Sequence, residues 1–568
     1  MKKHTFIWGA IILTIGGFVA KIIGAFYKIP LTNILGSTGM GLYYLVFPLY
    51  NLLLVFSSSG VSVAITRLVA EARAKKNKKN ETKYFYAGIL ISLLLSVIFS
   101  IGVFIFAKQL AFLQGNILSY LSFLAISPAI IVASLVTVIK GYFQGVENMF
   151  PSSVSIIFEQ IVKLVVGLIL SFKLLPYGIE YAVMGSVLAV TISETLTFFL
   201  MLFNYVWHKK HNDYKFYIKD ANTSKLKELK PKEKIVSKKA VKLKTPKKFK
   251  KIMYLANENK NITFITALKK TFKMMLPNTL MSLVMPLTTF VDSFLVINLL
   301  TKSGYSSLTA TSLYGINNGV VSSLIALPVI ITSSLATAVV PNLTGLIYLG
   351  KREEINTRSS FFIKITWVIV LPIFVFFLIM CNNIISALYN FGTNNVVNEY
   401  GFACKLLMLS SISIIYNALL STFISILQAI NKPYRVFFIL LSGLFIRIIL
   451  AVVMLQIIKI NIFGIILANI TFLLYCGILC LNEIRKSIQL NLNIFKSFVI
   501  PSIGAIISGC IMYILQLCFN NLNIWLNLVI NGVVCVVVYF SFIYVCKCFD
   551  INDKRYLPFL KKITKSKK

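Results

Sequence analysis

The sequence predicts an all-α integral membrane protein with about fourteen transmembrane helices, two pseudo-symmetric six-helix lobes around a central cavity plus two C-terminal helices. Three observations predict this class. The 568 residues are 57% hydrophobic with a mean hydropathy of +0.82, and apolar runs of about 20 residues, enough to cross a bilayer, follow one another along the chain. Basic residues gather in alternate connections. Features of the first half recur in the second at a fixed offset.

The first span lies near 6–27 and carries one lysine, Lys21. Lys2 and Lys3 ahead of it resemble the start of a signal peptide. No small-x-small cleavage site follows and the run continues to Phe26, so it reads as an uncleaved first helix. A short Pro/Gly loop is expected next, then a second span near 39–70 holding Pro48, a Ser57-Ser58-Ser59-Gly60-Val61-Ser62 cluster and Arg67. Pro48 lets that helix bend, because proline removes a backbone hydrogen bond and clashes with the preceding turn. Further spans lie near 84–107, 117–140, 152–173 and 179–206. After a hydrophilic stretch, others follow near 271–299, 311–346, 361–389, 399–429, 434–457 and 462–484, and a last pair near 497–519 and 523–546.

The connections give an orientation. Arg73, Lys75, Lys76, Lys78, Lys79 and Lys83 follow the second span; Lys351, Arg352 and Arg358 follow the eighth; Lys432 and Arg435 the tenth; Arg485 and Lys486 the twelfth. The opposite loops hold Lys28, Lys108, Lys173, Lys302 and Lys459. The positive-inside rule then puts both termini in the cytoplasm of a multi-pass plasma-membrane protein. The net charge of +39 is largely a topology signal, not one for nucleic acid. The 207–270 segment holds twenty lysines against Asp213, Asp220, Glu228, Glu233 and Glu258. It reads either as a solvated linker or as a surface resting on anionic inner-leaflet lipid. Ile262, Ile265, Leu268 and Phe272 near its end suggest an amphipathic helix on that leaflet. The nine cysteines, all between Cys381 and Cys548, read as small apolar helix residues rather than metal ligands or a disulfide set.

The linker divides the chain into similar halves. Gln144 and Gln428 are 284 residues apart, as are Lys163 and Arg447, and the Ser58-Ser59 pair is matched with Ser333-Ser334. This gives an N-lobe (1–206), the basic linker (207–270), a C-lobe (271–485) and the last two helices with a basic tail (486–568).

Several stretches resemble a known family. Lys21-Ile22-Ile23-Gly24, Ile34-Leu35-Gly36, Gly39-Met40-Gly41-Leu42-Tyr43, Pro48-Leu49-Tyr50 and Ile65-Thr66-Arg67-Leu68-Val69-Ala70-Glu71 are similar to the stage V sporulation protein B branch of the multidrug/oligosaccharidyl-lipid/polysaccharide exporter superfamily. The similarity continues through Val291-Asp292-Ser293, Leu313-Tyr314-Gly315, Pro328, Val340-Pro341 and Gln428-Ala429. It implies two lobes around a V-shaped cavity, gated by spans one, two, seven and eight, with a lipid-linked sugar flipped outward. The first-helix cation of lipid II flippases is kept as Lys21, whereas further arginines of those relatives appear here as Tyr27 and Leu54.

A lipid pyrophosphate crossing hydrocarbon needs cations around its phosphates and hydroxyls or amides around its sugar. Lys21, Lys163, Arg447 and Lys405 are the candidate cavity cations. Glu159, four residues before Lys163, offers it a local neutraliser, and Arg447 has no acid nearby on its own helix. Lys405 lies near the outer surface, where snorkelling competes with cargo binding. Arg67 and Glu71 form a gate or snorkelling pair beside Pro48. Asp292 and Glu194, isolated in apolar sequence, are either proton or sodium coupling sites or structural partners of Lys21 and Lys163. No cofactor motif, catalytic set or metal-ligand spacing is present, and His4, His208 and His211 all fall on the cytoplasmic side. The sequence therefore predicts a transporter rather than an enzyme, sufficient as a monomer. An organic-cation antiporter of the same fold is the alternative cargo reading.

Overall fold

The computed structural model describes residues 3–227, 261–348, 352–390, 398–457, 460–488, 490, 492–519 and 522–549. The expectations for the central part of the basic linker and for the C-terminal tail lie outside these residues. Among the described residues every apolar run folds as helix and no strand occurs.

Helix α1 (Lys3–Leu54) runs through a π turn at Val55–Ser59 into α2 (Gly60–Ala74). Together they form a spanning stretch of 63 residues, Ile12–Ala74, where a crossing needs only about 20. The Pro/Gly loop expected between spans one and two is instead a one-residue kink. Gly36, at φ 65° and ψ −176°, alone leaves helical geometry in α1, in a region that only glycine enters cheaply. Pro30 and Pro48 stay inside the helix. Thirteen helices among the described residues are long and apolar enough to cross a membrane. With Ile12–Ala74 counted as two at Gly36, they make the fourteen crossings that the sequence predicts.

The first lobe continues with α3 (Lys78–Ile105), α4 (Ala107–Leu113), α5 (Tyr120–Gly145), α6 (Phe150–Leu174) and α7 (Ile179–Lys227). Asn77 starts α3 by accepting the Asn80 N–H, and Pro151 sits in the first turn of α6, where its missing N–H costs nothing. Helices α5, α6 and α7 pack together, α1 lies on α6, and α2 lies on α3 and α5 around Ile65, Phe85, Tyr142 and Phe143.

The second lobe opens with α8 (Phe264–Lys302), capped by Thr263. The expected amphipathic helix at the end of the linker is the start of this 39-residue helix, not a separate element lying on the membrane. Ala267 and Thr271 bury one of its faces while Ile265 and Phe272 stay exposed. Then come α9 (Ser307–Gly315), a π turn (Ile316–Val321), α10 (Ser322–Tyr348), α11 (Arg352–Ile379), α12 (Cys381–Leu388), α13 (Glu399–Ala429), α14 (Pro433–Leu455) and α15 (Phe463–Ile488). Helix α13 is the hub, against α10, α11 and α15. Helices α16 (Ile500–Cys518) and α17 (Ile524–Val545) pair with each other and lean on α11.

The 284-residue repeat is visible in the backbone. At the end of α5, the N–H groups of Val146, Glu147 and Asn148 donate to the carbonyls of Tyr142, Gln144 and Phe143. At the end of α13, Ile430, Asn431 and Lys432 donate to Ile426, Gln428 and Leu427. Glu147 and Asn431 both sit at φ 62°, a left-handed cap that closes the helix. The serine echo is looser: Ser57 and Ser58 belong to the first π turn, whereas Ser333 lies well beyond the second.

Candidate functional site

The lobes meet along α1 and α2 on one side and α8, α9 and α10 on the other. At the end bearing Glu71, here called the basic end, a Cβ on Gly60 would stand 2.5 Å from the Met275 carbonyl oxygen. At the opposite end a Cβ on Gly315 would stand 1.8 Å from the Ser37 carbonyl oxygen, and one on Gly41 2.1 Å from that of Thr311. Glycine at these three positions lets backbones from different lobes touch.

Three cations line the stretch of α1 and α6 between these closures. Lys21 donates to the Ser333 hydroxyl of the other lobe at 3.5 Å. Lys28 lies 5.3 Å from the centre of the Tyr44 ring, and the Tyr44 and Ser323 hydroxyls meet across the lobes at 3.2 Å. Lys163 lies 5.0 Å from the Phe47 ring centre and 5.9 Å from that of Tyr27. Among the described residues none of the three makes an ion pair; aromatic faces and hydroxyls are their neighbours. Such contacts ease desolvation of an ammonium without cancelling its charge.

The local neutraliser expected for Lys163 is engaged elsewhere. Glu159 binds Lys140 of α5 at 3.2 Å and accepts from the Gln160 amide at 3.1 Å. Glu194 is buried, with the Tyr50 hydroxyl at 3.5 Å, and among the described residues it makes no ion pair.

Arg447 differs from its expected role. It is buried and holds Asp292 of α8 with two parallel bonds, of 2.7 and 2.6 Å, while also donating to the Thr288 carbonyl at 3.4 Å. The acid missing from its own helix comes from another one, so the guanidinium is not a free cavity cation. The same geometry gives Asp292 a partner other than the Lys21 or Lys163 expected for it. Lys405 is exposed near the start of α13.

The Arg67–Glu71 pair is not formed either. Glu71 binds Lys75 at 2.9 Å and Lys270 of α8 at 3.3 Å, the latter joining the two lobes, while Arg67 is exposed. Pro48 is buried about two turns before the π turn. Sequence reasoning missed Lys28, counted as a loop residue because α1 was expected to end before it, and Glu399, which looked like an ordinary first-turn acid. The apolar spacing continuing through Ile29, Leu31 and Leu35 was the available sign that the helix runs on.

Comparison with known proteins agrees with this architecture. A family profile described as polysaccharide biosynthesis protein matches residues 6–227. Stage V sporulation protein B of Bacillus subtilis (strain 168) is 28% identical over 362 residues, 63% of this chain and 62% of that protein, so the match spans less than two thirds of that relative. The lipid II flippase MurJ of the same organism is 22% identical over 463 residues, 79% of this chain and 77% of that one. Among solved structures, MurJ in an inward closed conformation superposes with a TM-score of 0.65 at 18% identity, covering 94% of this chain and 98% of that one. An inward-facing multidrug resistance MATE family transporter of the MOP superfamily gives 0.58 at 14% identity, covering 83% and 94%.

Fold and lobe interface thus define a multi-pass membrane protein with the two-lobed transporter fold. Within that class, the chain is similar to polysaccharide biosynthesis proteins over residues 6–227 and to stage V sporulation protein B over 63% of its length.

Proposed function

We propose that the protein is an alternating-access flippase moving a lipid-linked oligosaccharide, an undecaprenyl-pyrophosphate type of cell-wall or polysaccharide precursor, from the inner to the outer leaflet. The observation carrying this reading is the set of Lys21, Lys28 and Lys163 at the lobe interface, which make no ion pair among the described residues. Unpaired cations inside a membrane are costly, and an anionic cargo repays that cost when it binds. Serine and tyrosine hydroxyls beside them suit a sugar head group. In this reading the basic end faces the cytoplasm, the 207–270 segment rests near anionic lipid, and Glu194 replaces Asp292 as the candidate coupling acid for a proton or sodium ion. Arg447 and Asp292 hold the second lobe together, Lys405 is peripheral, and no step requires a cofactor or an enzymatic activity.

The test is binding of undecaprenyl pyrophosphate to the purified protein in nanodiscs. Lys163→Gln and Lys21→Gln each lose a charge-assisted contact of about 1.5–3 kcal/mol, a roughly ten- to hundred-fold weaker affinity. Lys405→Gln changes it by less than about threefold. The MATE likeness keeps an organic-cation antiporter in view. Tighter binding of a drug cation by Lys163→Gln, with lipid pyrophosphate binding unchanged, would decide for it.

A further inference from the structure

We infer that Glu399 holds the extracytoplasmic gate shut, through a carboxylate that clasps both lobes and must let go before cargo can leave. The inference rests on the transporter reading above and on the orientation that goes with it. It does not depend on which cargo is carried.

Glu399 is 8% exposed at the start of α13. Its Oε1 accepts from the Ser37 hydroxyl of α1 at 2.6 Å and from the Ser312 hydroxyl of α9 at 2.8 Å, and the two hydroxyls lie 3.0 Å apart. Ser37 belongs to the first lobe, Ser312 and Glu399 to the second. An acid in a first turn ordinarily serves its own helix dipole. Here the side chain of Asn398 already caps α13 by accepting the Gly401 N–H at 3.0 Å, and Glu399 spends Oε1 on hydroxyls from two other helices.

The surroundings fit a clasp. The Gly36 kink immediately precedes Ser37, and a Cβ at Gly36 would meet nothing within 4 Å, so glycine is there for conformation rather than for space. One turn earlier, Asn33 makes a second bridge, donating to the Leu388 carbonyl at 3.0 Å and accepting the Asn390 N–H at 3.1 Å. Asn33, Ser37, Tyr389, Asn390 and Glu399 help line a cleft of about 210 Å³ at this end. Bonds between hydroxyls and a carboxylate suit a gate better than an apolar seal does, because each partner takes water when the lobes part.

Hydrogen–deuterium exchange of the full chain in nanodiscs tests this without any cargo. Glu399→Ala is expected to speed exchange in segments 32–42 and 308–316 by on the order of tenfold, about 1.4 kcal/mol of local opening, and to leave 60–74 and 264–276 unchanged or slower. Ser312→Ala, a milder change, should move the same two segments in the same direction by less. Glu399→Gln, which keeps an acceptor oxygen, should fall between wild type and Glu399→Ala. Unchanged exchange in both segments for Glu399→Ala, or equal acceleration at both ends in Ser312→Ala, overturns the clasp. A clasp that behaves as expected while undecaprenyl pyrophosphate fails to bind leaves the gate standing and removes the cargo reading.

Discussion

Lys163 and Arg447 occupy equivalent places 284 residues apart, one per lobe, and have opposite surroundings. Lys163 faces the Phe47 and Tyr27 rings and makes no ion pair among the described residues, while Arg447 is gripped by both oxygens of Asp292. A repeat that conserves the end of the preceding helix down to its hydrogen bonds does not conserve what the cation does. In the second lobe the charge is cancelled internally and serves cohesion. In the first it meets aromatic rings instead, and the proposed function gives it to the ligand.

The largest effect should come from breaking the second-lobe pair. Asp292→Asn strands a buried guanidinium and is expected to cost about 3–5 kcal/mol of stability, read as a lowered thermal midpoint in detergent. Asp292→Leu combined with Arg447→Met should recover most of that loss. A lone Asp292→Asn that melts like wild type would return Asp292 to the role of coupling acid.

The contrast sharpens with Lys163→Gln, which removes a charge that makes no ion pair among the described residues. Its thermal midpoint should move by no more than about 1 kcal/mol equivalent, while lipid pyrophosphate binding falls as described above. A stability loss as large as that of Asp292→Asn would make the two cations alike after all. Smallest of all is Glu71→Gln. Its ion pairs with Lys75 and Lys270 are 24–44% exposed, so the loss should stay below about 1 kcal/mol and shrink as salt is raised.

The architecture was legible because hydrophobic length, alternating basic connections and the 284-residue echo are local or periodic signals. What escaped was pairing at a distance. Asp292 and Arg447 are separated by 155 residues, Glu71 and Lys270 by 199, Glu399 and Ser37 by 362. No spacing rule along one helix reaches so far, because these partners lie on different helices. The boundary at residues 28–38 failed for a different reason. Pro30 and Gly36 both signal a loop, yet proline is accommodated within α1 and glycine bends it at a single residue, which kept Lys28 out of view.

The continuity of α1 has a mechanical consequence. Residues 37–54 are helical throughout and lie between the only two departures from α geometry in the Ile12–Ala74 stretch, Gly36 and the π turn at Val55–Ser59. Eighteen residues at about 1.5 Å each make a strut of roughly 27 Å hinged at both ends. One hinge adjoins Ser37; the other adjoins Gly60. In the proposed alternating-access cycle, tilting such a rocker arm to slacken one joint would drive the other home, so a single rod would keep the two doors of the molecule from standing open together.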